Sequence, residues 1–238
     1  METRFEFRDF IKVFASAILL FLCFTLLVAL VPGGADFLSE IHPSFSFLLQ
    51  YLIQFVVFFF PLWIFVIGKH TAQMEDFGLV PVKWSVVMKT VLKAYAGYFA
   101  FMLGISLVLT VLGLQFPGFE NQESYLPVFG NDLLGILIAF FVVVLIAPVI
   151  EEILFRGFIY RIFLKSFPKG IGNLLSALLF ALVHVQFQTF VPLFVLGLIL
   201  NYCYQKTGSI WTSIAFHSMN NLLAFAVQIY IGYNEPIL

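Results

Sequence analysis

The sequence predicts an all-α fold, a polytopic transmembrane bundle of about seven to eight helices. Three observations predict it. The 238 residues are 62% hydrophobic and only 11% charged, with a mean hydropathy of +1.04, whereas soluble domains run at about 45–50% apolar and about 25% charged. Apolar runs of about 20 residues, enough to cross a bilayer as a helix, recur along the chain. The connections between those runs alternate in charge. A chain this short has too little interior to hide its 32 Phe side chains from water, so its solvent is lipid.

Spans are expected near residues 11–31, 45–67, 86–114, 132–167, 171–188, 189–205 and 209–232. The run at 11–31 is longer than the roughly 7–15 apolar residues of a signal peptide and is followed by more spans, so it reads as a retained first helix. The segment TAQMEDFGLVPVKWS, residues 71–85, mixes charge, Gly and Pro with Phe77, Leu79 and Trp84, as an interfacial stretch or a plain connecting loop would. The fourth run is too long for one straight crossing, and Pro148 is a candidate break. The fifth and sixth meet at Gln188 with almost no loop, which leaves room for an eighth or re-entrant segment. Residues 1–125 thus form an N-terminal helical part, and 126–238 hold the polar residues discussed below.

Charge orients this layout. All twelve Lys and Arg lie at the N-terminus (Arg4, Arg8, Lys12), in the 67–93 connection, on the helix of Glu151 with its following turn, or at Lys206. The 32–44 and 115–131 connections carry Asp36, Glu40, Glu120 and Glu123 instead. By the positive-inside rule the N-terminus is cytoplasmic, in a multi-pass protein of the cell membrane. A net charge of −1 gives no basic field for nucleic acid. Cys23 and Cys203 sit in apolar runs without C-x-x-C spacing and read as buried packing residues. The C-terminal NEPIL is no lipidation signal.

An ionisable side chain in hydrocarbon costs about 2.5–3.5 kcal/mol, so it usually faces a cavity and has a partner. Three places break the apolar pattern: Glu151, Glu152 and Arg156; His184 in FALVHVQF; and His217 with Asn220 and Asn221 in IAFHSMNN. Glu152 and Arg156 are four apart and can pair along one helix face. Glu151 lies about 100° around the helix and is free to face elsewhere. His217 and Asn221 are also four apart. His184 follows Phe180 by four, so that ring can pack beside it. At 1.5 Å per residue, Glu151 and His184 each lie roughly 20–25 Å from the turn at Pro168–Gly170, and His217 and Asn221 about 12–18 Å from the same face. One shared site is feasible. Each group also has a plainer reading, as a structural ion pair, a core histidine or interhelical glue; their convergence favours chemistry. Gln50, Gln54, Ser16 and Thr25 read as packing.

A carboxylate in a partly desolvated pocket can serve as general base near neutrality. Glu151, assisted by His184, would deprotonate water, Arg156 would hold Glu152 ionised, and His217 and Asn221 would donate to the oxyanion of a tetrahedral intermediate. That is amide hydrolysis. No H-E-x-x-H is present. No Ser or Cys stands with nucleophile-elbow glycines, and Ser218 points about 100° away from its neighbour His217.

At these residues the chain resembles the CAAX protease and bacteriocin-processing family, which includes the type II CAAX prenyl endopeptidases. The family's E-E-x-x-x-R, F-x-x-x-H and H-x-x-x-N motifs stand here as EEILFR (Glu151, Glu152, Arg156), FALVH (Phe180, His184) and HSMNN (His217, Asn221). FGL at 77–79 resembles a further short family feature. The resemblance covers about residues 130–225. It implies an α-helical intramembrane endopeptidase, with residues 126–238 as its catalytic core, in which Glu151 activates water. Glu152 and Arg156 would orient the site, His184 would assist, and His217 with Asn221 would form the oxyanion hole, with Phe180 toward the substrate. Family members are described both as metalloproteases and as metal-free. Two His and two Glu can hold Zn²⁺, with Glu151, His184 and His217 as the ligands, but Arg156 would oppose a cation and Asn221 is a poor ligand. A metal-free mechanism is therefore favoured. The implied partners are a peptide or a prenylated protein, and the bilayer.

Two other classes compete. An ion-coupled transporter also needs intramembrane Glu and His, but it should show repeated halves, and here the ionisable groups crowd into the second half. A non-catalytic immunity or scaffold protein would keep the fold, but the intact motif set argues for activity.

Overall fold

The computed structural model describes residues 3–31, 41–114, 129, 132–185 and 189–234, with side chains up to 230. Among them there are seven helices and no strands. They are α1 Phe7–Leu30, α2 Pro43–Gly68, α3 Trp84–Leu112, α4 Leu133–Ser166, α5 Lys169–Val183, α6 Phe190–Thr207 and α7 Ile210–Asn234. The helical bundle expected from composition is thus present.

Four of these helices, α1 to α4, are long and apolar enough to cross a membrane. Their flanks Leu19, Leu22, Leu27, Leu103, Leu107 and Val111 stay exposed, as lipid-facing residues do. The chain is a multi-pass membrane protein. The seven helices fit the expected count of about seven to eight; by length and composition alone, four of them stand out as crossings. Helix α5 has 15 residues and reaches only about 22 Å, against a hydrocarbon core of about 30 Å. Helices α6 and α7 are diluted by Asn201, Gln205 and Lys206 and by His217, Asn220, Asn221 and Gln228. Asp36, Glu40, Glu120 and Glu123, and the junction at Gln188, lie outside the described residues.

Pro148 does not break α4. The chain stays helical from Leu133 to Ser166, with wide π turns at Phe140–Ile146 and Ile153–Ile159 on either side of the proline. Such turns let a helix absorb the backbone bond that proline cannot make. Helix α2 does the same: Pro61 lies inside it and a π turn follows at Trp63–Gly68.

The chain divides into two compact units, Met1–Thr3 with Met74–Glu123 and Glu151–Asn220, and Arg4–Gln73 with Ser124–Ile150 and Asn221–Leu238. In the second unit α1 pairs with α2. Asp9 is wholly buried there and accepts from Lys69 Nζ at 2.7 Å, from the Glu6 backbone N–H at 2.9 Å, and lies 2.8 Å from His70 Nε2. The carboxylate thereby ties the start of α1 to the end of α2, and α1 starts at Phe7, ahead of the apolar run. Asp132 caps α4 by accepting from Gly135 N–H at 2.7 Å. Cys23 is exposed on α1, contrary to its expected burial, whereas Cys203 is buried; both are free thiols.

In the first unit the 71–85 segment is more than a connecting loop from Met74 onward. A short 3-10 turn, Met74–Phe77, leads into Gly78 in the left-handed region at φ +80°. Gly78 O accepts from Ile210 N–H at 2.9 Å, and Val80 O accepts from Ser209 Oγ at 2.6 Å, so the strap caps the start of α7. On α4, Gly157 leaves room for it: a Cβ there would meet Phe77 O at 2.8 Å. We expect Gly157→Ala to cost about 1–3 kcal/mol through overpacking. It should lower the melting transition in detergent and speed proteolysis between residues 71 and 85.

Candidate functional site

Glu151, Glu152, Arg156, Phe180, His184 and His217 all belong to the first unit, and the fold brings them together. Two observations place them. The turn at Phe167–Pro168 sends α5 back along α4, so His184 at the end of α5 reaches Glu151, with Nε2 3.7 Å from Oε2. His217 on α7 reaches the same oxygen with its own Nε2 at 3.9 Å. The equal depths expected for Glu151 and His184 are realised.

Each imidazole is held through its other nitrogen. His184 Nδ1 lies 2.6 Å from the Phe180 carbonyl oxygen. A carbonyl can only accept, so Nδ1 carries a proton, and Nε2 is the nitrogen turned toward Glu151. His217 Nδ1 lies 3.0 Å from Glu152 Oε1, so Glu152 holds that ring by accepting from its Nδ1–H. Glu151 is partly exposed and Glu152 fully buried, so adjacent residues of one helix have different surroundings. Glu151 thus keeps some solvent access where Glu152 has none.

Glu152 is in turn held by Arg156, whose Nη1 donates to Oε1 at 2.9 Å, with both side chains wholly buried. The i,i+4 pair read from the sequence is therefore correct. The guanidinium has further acceptors: Gly197 O at 3.0 Å from Nη2, and Asn201 Oδ1 at 3.3 Å from Nε. Its Cζ lies 4.5 Å from the centroid of the Phe180 ring, a cation–π contact. Gly197 permits this approach of α6 to α5, because a Cβ there would lie 3.0 Å from Ala177 Cα. Asn201 is itself fixed, donating to Asn173 O at 3.1 Å and to Asn173 Oδ1 at 3.0 Å.

Phe180 is wholly buried. Its ring centroid lies 4.7 Å from that of His184, 5.8 Å from His217 and 5.1 Å from Phe155. Its ring packs beside His184, as the four-residue spacing allows, and against the other groups of the cluster. Asn221 lies in the second unit, where its amide donates to Val143 O at 2.9 Å. Sequence reasoning missed Asn201 and Asn173. The available signal was their polarity within apolar helices, the same signal that marked His184.

Among the described residues no group of three or more His, Cys, Asp and Glu is arranged to hold a metal ion.

Comparison with known proteins agrees with the motifs. The family model described as "Type II CAAX prenyl endopeptidase Rce1-like" matches residues 133–223. The chain is 32% identical to "UPF0177 protein YxdF" of Lactococcus lactis subsp. lactis (strain IL1403), over 53% of this chain and 71% of that one. It is 27% identical to "Putative membrane peptidase YdiL" of Bacillus subtilis (strain 168), over 62% and 58%. An "Uncharacterized 24.3 kDa protein" of Escherichia coli is 28% identical over 80% of each chain. No solved structure matches. With its three motifs in order and the imidazoles and carboxylates joined in one cluster, the chain belongs to the Rce1-like family of type II CAAX prenyl endopeptidases.

Proposed function

We propose that this protein is an intramembrane endopeptidase that hydrolyses a peptide bond with water activated by Glu151. The observation that carries this reading is the approach of both imidazole Nε2 atoms to one buried oxygen of the otherwise partly exposed Glu151 side chain. A water between these groups would donate one hydrogen to Glu151 Oε2 and the other to His184 Nε2. Attack on the scissile carbonyl forms the C–O bond as the water proton passes to Glu151. Collapse of the tetrahedral intermediate breaks the C–N bond, and Glu151 returns the proton to the leaving amine. His217, as imidazolium, donates from Nδ1 to Glu152 and from Nε2 to the oxyanion. Glu152 and Arg156 take no proton; they fix the orientation of that ring.

The same reading makes the reaction metal-free, since Arg156 in the cluster would oppose a cation. The substrate class is a C-terminal CAAX-type or a small peptide, presented at the cell membrane, with the N-terminus in the cytoplasm where Arg4, Arg8 and Lys12 favour it.

Two outcomes are expected of full-length protein in detergent, assayed on fluorogenic peptides with and without a farnesylated CAAX end. Glu151→Gln should lower kcat by about 10²–10⁴-fold, the range of general-base catalysis, without changing the melting transition; undiminished turnover would sink the assignment. Treatment with EDTA and 1,10-phenanthroline should leave kcat unchanged. A loss restored by added Zn²⁺ would instead identify a metalloenzyme.

A further inference from the structure

We infer that Asn201 is a positioning residue for catalysis, acting on His217 through Arg156 and Glu152; this rests on the hydrolase reading above. The path is continuous within the first unit. Asn201 Oδ1 accepts from Arg156 Nε at 3.3 Å, Arg156 Nη1 donates to Glu152 Oε1 at 2.9 Å, and Glu152 Oε1 lies 3.0 Å from His217 Nδ1. His217 Nε2 then faces Glu151. Arg156, Glu152 and Asn201 are wholly buried and His217 nearly so.

Burial is what gives Asn201 its leverage. A guanidinium is a planar fork whose nitrogens must all find acceptors when water is excluded. Here Glu152 takes Nη1, Gly197 O takes Nη2, and Asn201 takes Nε. Three acceptors in different directions fix both the position of the plane and its rotation. Without the Nε acceptor the fork can turn about its long axis, carrying Nη1 away from Glu152 and releasing the ring of His217. Asn201 is suited to the task because its own amide is held twice by Asn173, so Oδ1 cannot swing away. Tyr160 continues the chain. Its hydroxyl lies 3.4 Å from Asn173 Oδ1 and accepts from Gln205 Nε2. An aliphatic residue would fill the same space and supply none of this.

The test compares Asn201→Leu with Asn201→Asp in full-length protein. Both remove the amide held by Asn173, but only Asp retains an oxygen for Arg156 Nε. Asn201→Leu should lower kcat by about 10–100-fold, the usual effect of removing a group that orients a site residue, with KM unchanged. Asn201→Asp should lie closer to wild type. In ¹⁵N-histidine-labelled protein, the hydrogen-bonded Nδ1–H resonance of His217, assigned with His217→Gln, should be lost in the Leu variant and present in the Asp variant. The inference is overturned if the Leu variant keeps its kcat and this resonance, or if Leu and Asp lose equally. Should Asn201→Leu fail to fold, Asn173→Ala is read in the same way, with a smaller loss expected. If wild type hydrolyses no peptide, the hydrolase reading fails, and the resonance alone decides whether Asn201 orients His217.

Discussion

A guanidinium buried in an apolar helical unit is the constraint on which the motif-bearing half depends. Arg156 is wholly buried, and an unpaired charge in such surroundings costs several kcal/mol. The chain meets that cost with a carboxylate on α4, a carbonyl and an amide on α6, and the face of an aromatic ring on α5. Each acceptor comes from a different helix or a different turn, so satisfying the charge also fixes how those helices lie against one another. A buried ion pair is weak evidence for stability, since an apolar pair of similar volume often does as well. Its value here is geometric: it fixes Glu152, and Glu152 fixes the ring of His217.

The two adjacent glutamates acquire separate roles from the same logic. Side chains at consecutive helical positions diverge by about 100°, so one residue can point to the interior while the next faces the open side. Glu152 spends its oxygen on Arg156 and His217. Glu151 keeps a buried oxygen directed at two imidazoles, while its side chain as a whole stays partly exposed. Had the pair been spaced four apart, both would share one environment and compete for the same cation.

Much of this was legible in the sequence because the bilayer makes polarity conspicuous. In a chain that is 62% hydrophobic, Glu151, Glu152, Arg156, His184 and His217 stand out at once, and helical periodicity then pairs Glu152 with Arg156. Residue counts from the turn at Pro168 placed Glu151 beside His184 because a helix rises uniformly. Where individual helices end was less legible. Hydropathy runs through α5 without signalling that the helix stops at Val183, where His184 is followed by Val185 in the left-handed region at φ +52°. For Phe180 the helical spacing from His184 was legible as packing, and the ring centroids do lie 4.7 Å apart; its complete burial came from tertiary structure.

Asn201 was hardest to see, for a physical reason. Alone in an apolar helix it has many bland uses, because a single amide can bond a neighbouring carbonyl anywhere along an adjacent helix. Nothing in its local sequence points to Arg156, 45 residues earlier. Its meaning comes from tertiary structure, where Gly197, one turn before it on the same helix, draws α6 onto Ala177 of α5. The close contact at Gly197 and the hydrogen bond at Asn201 are therefore one device. The glycine brings the helix near enough for its carbonyl and the asparagine's oxygen to reach two nitrogens of one guanidinium. A larger side chain at 197 would separate the helices and remove both acceptors together.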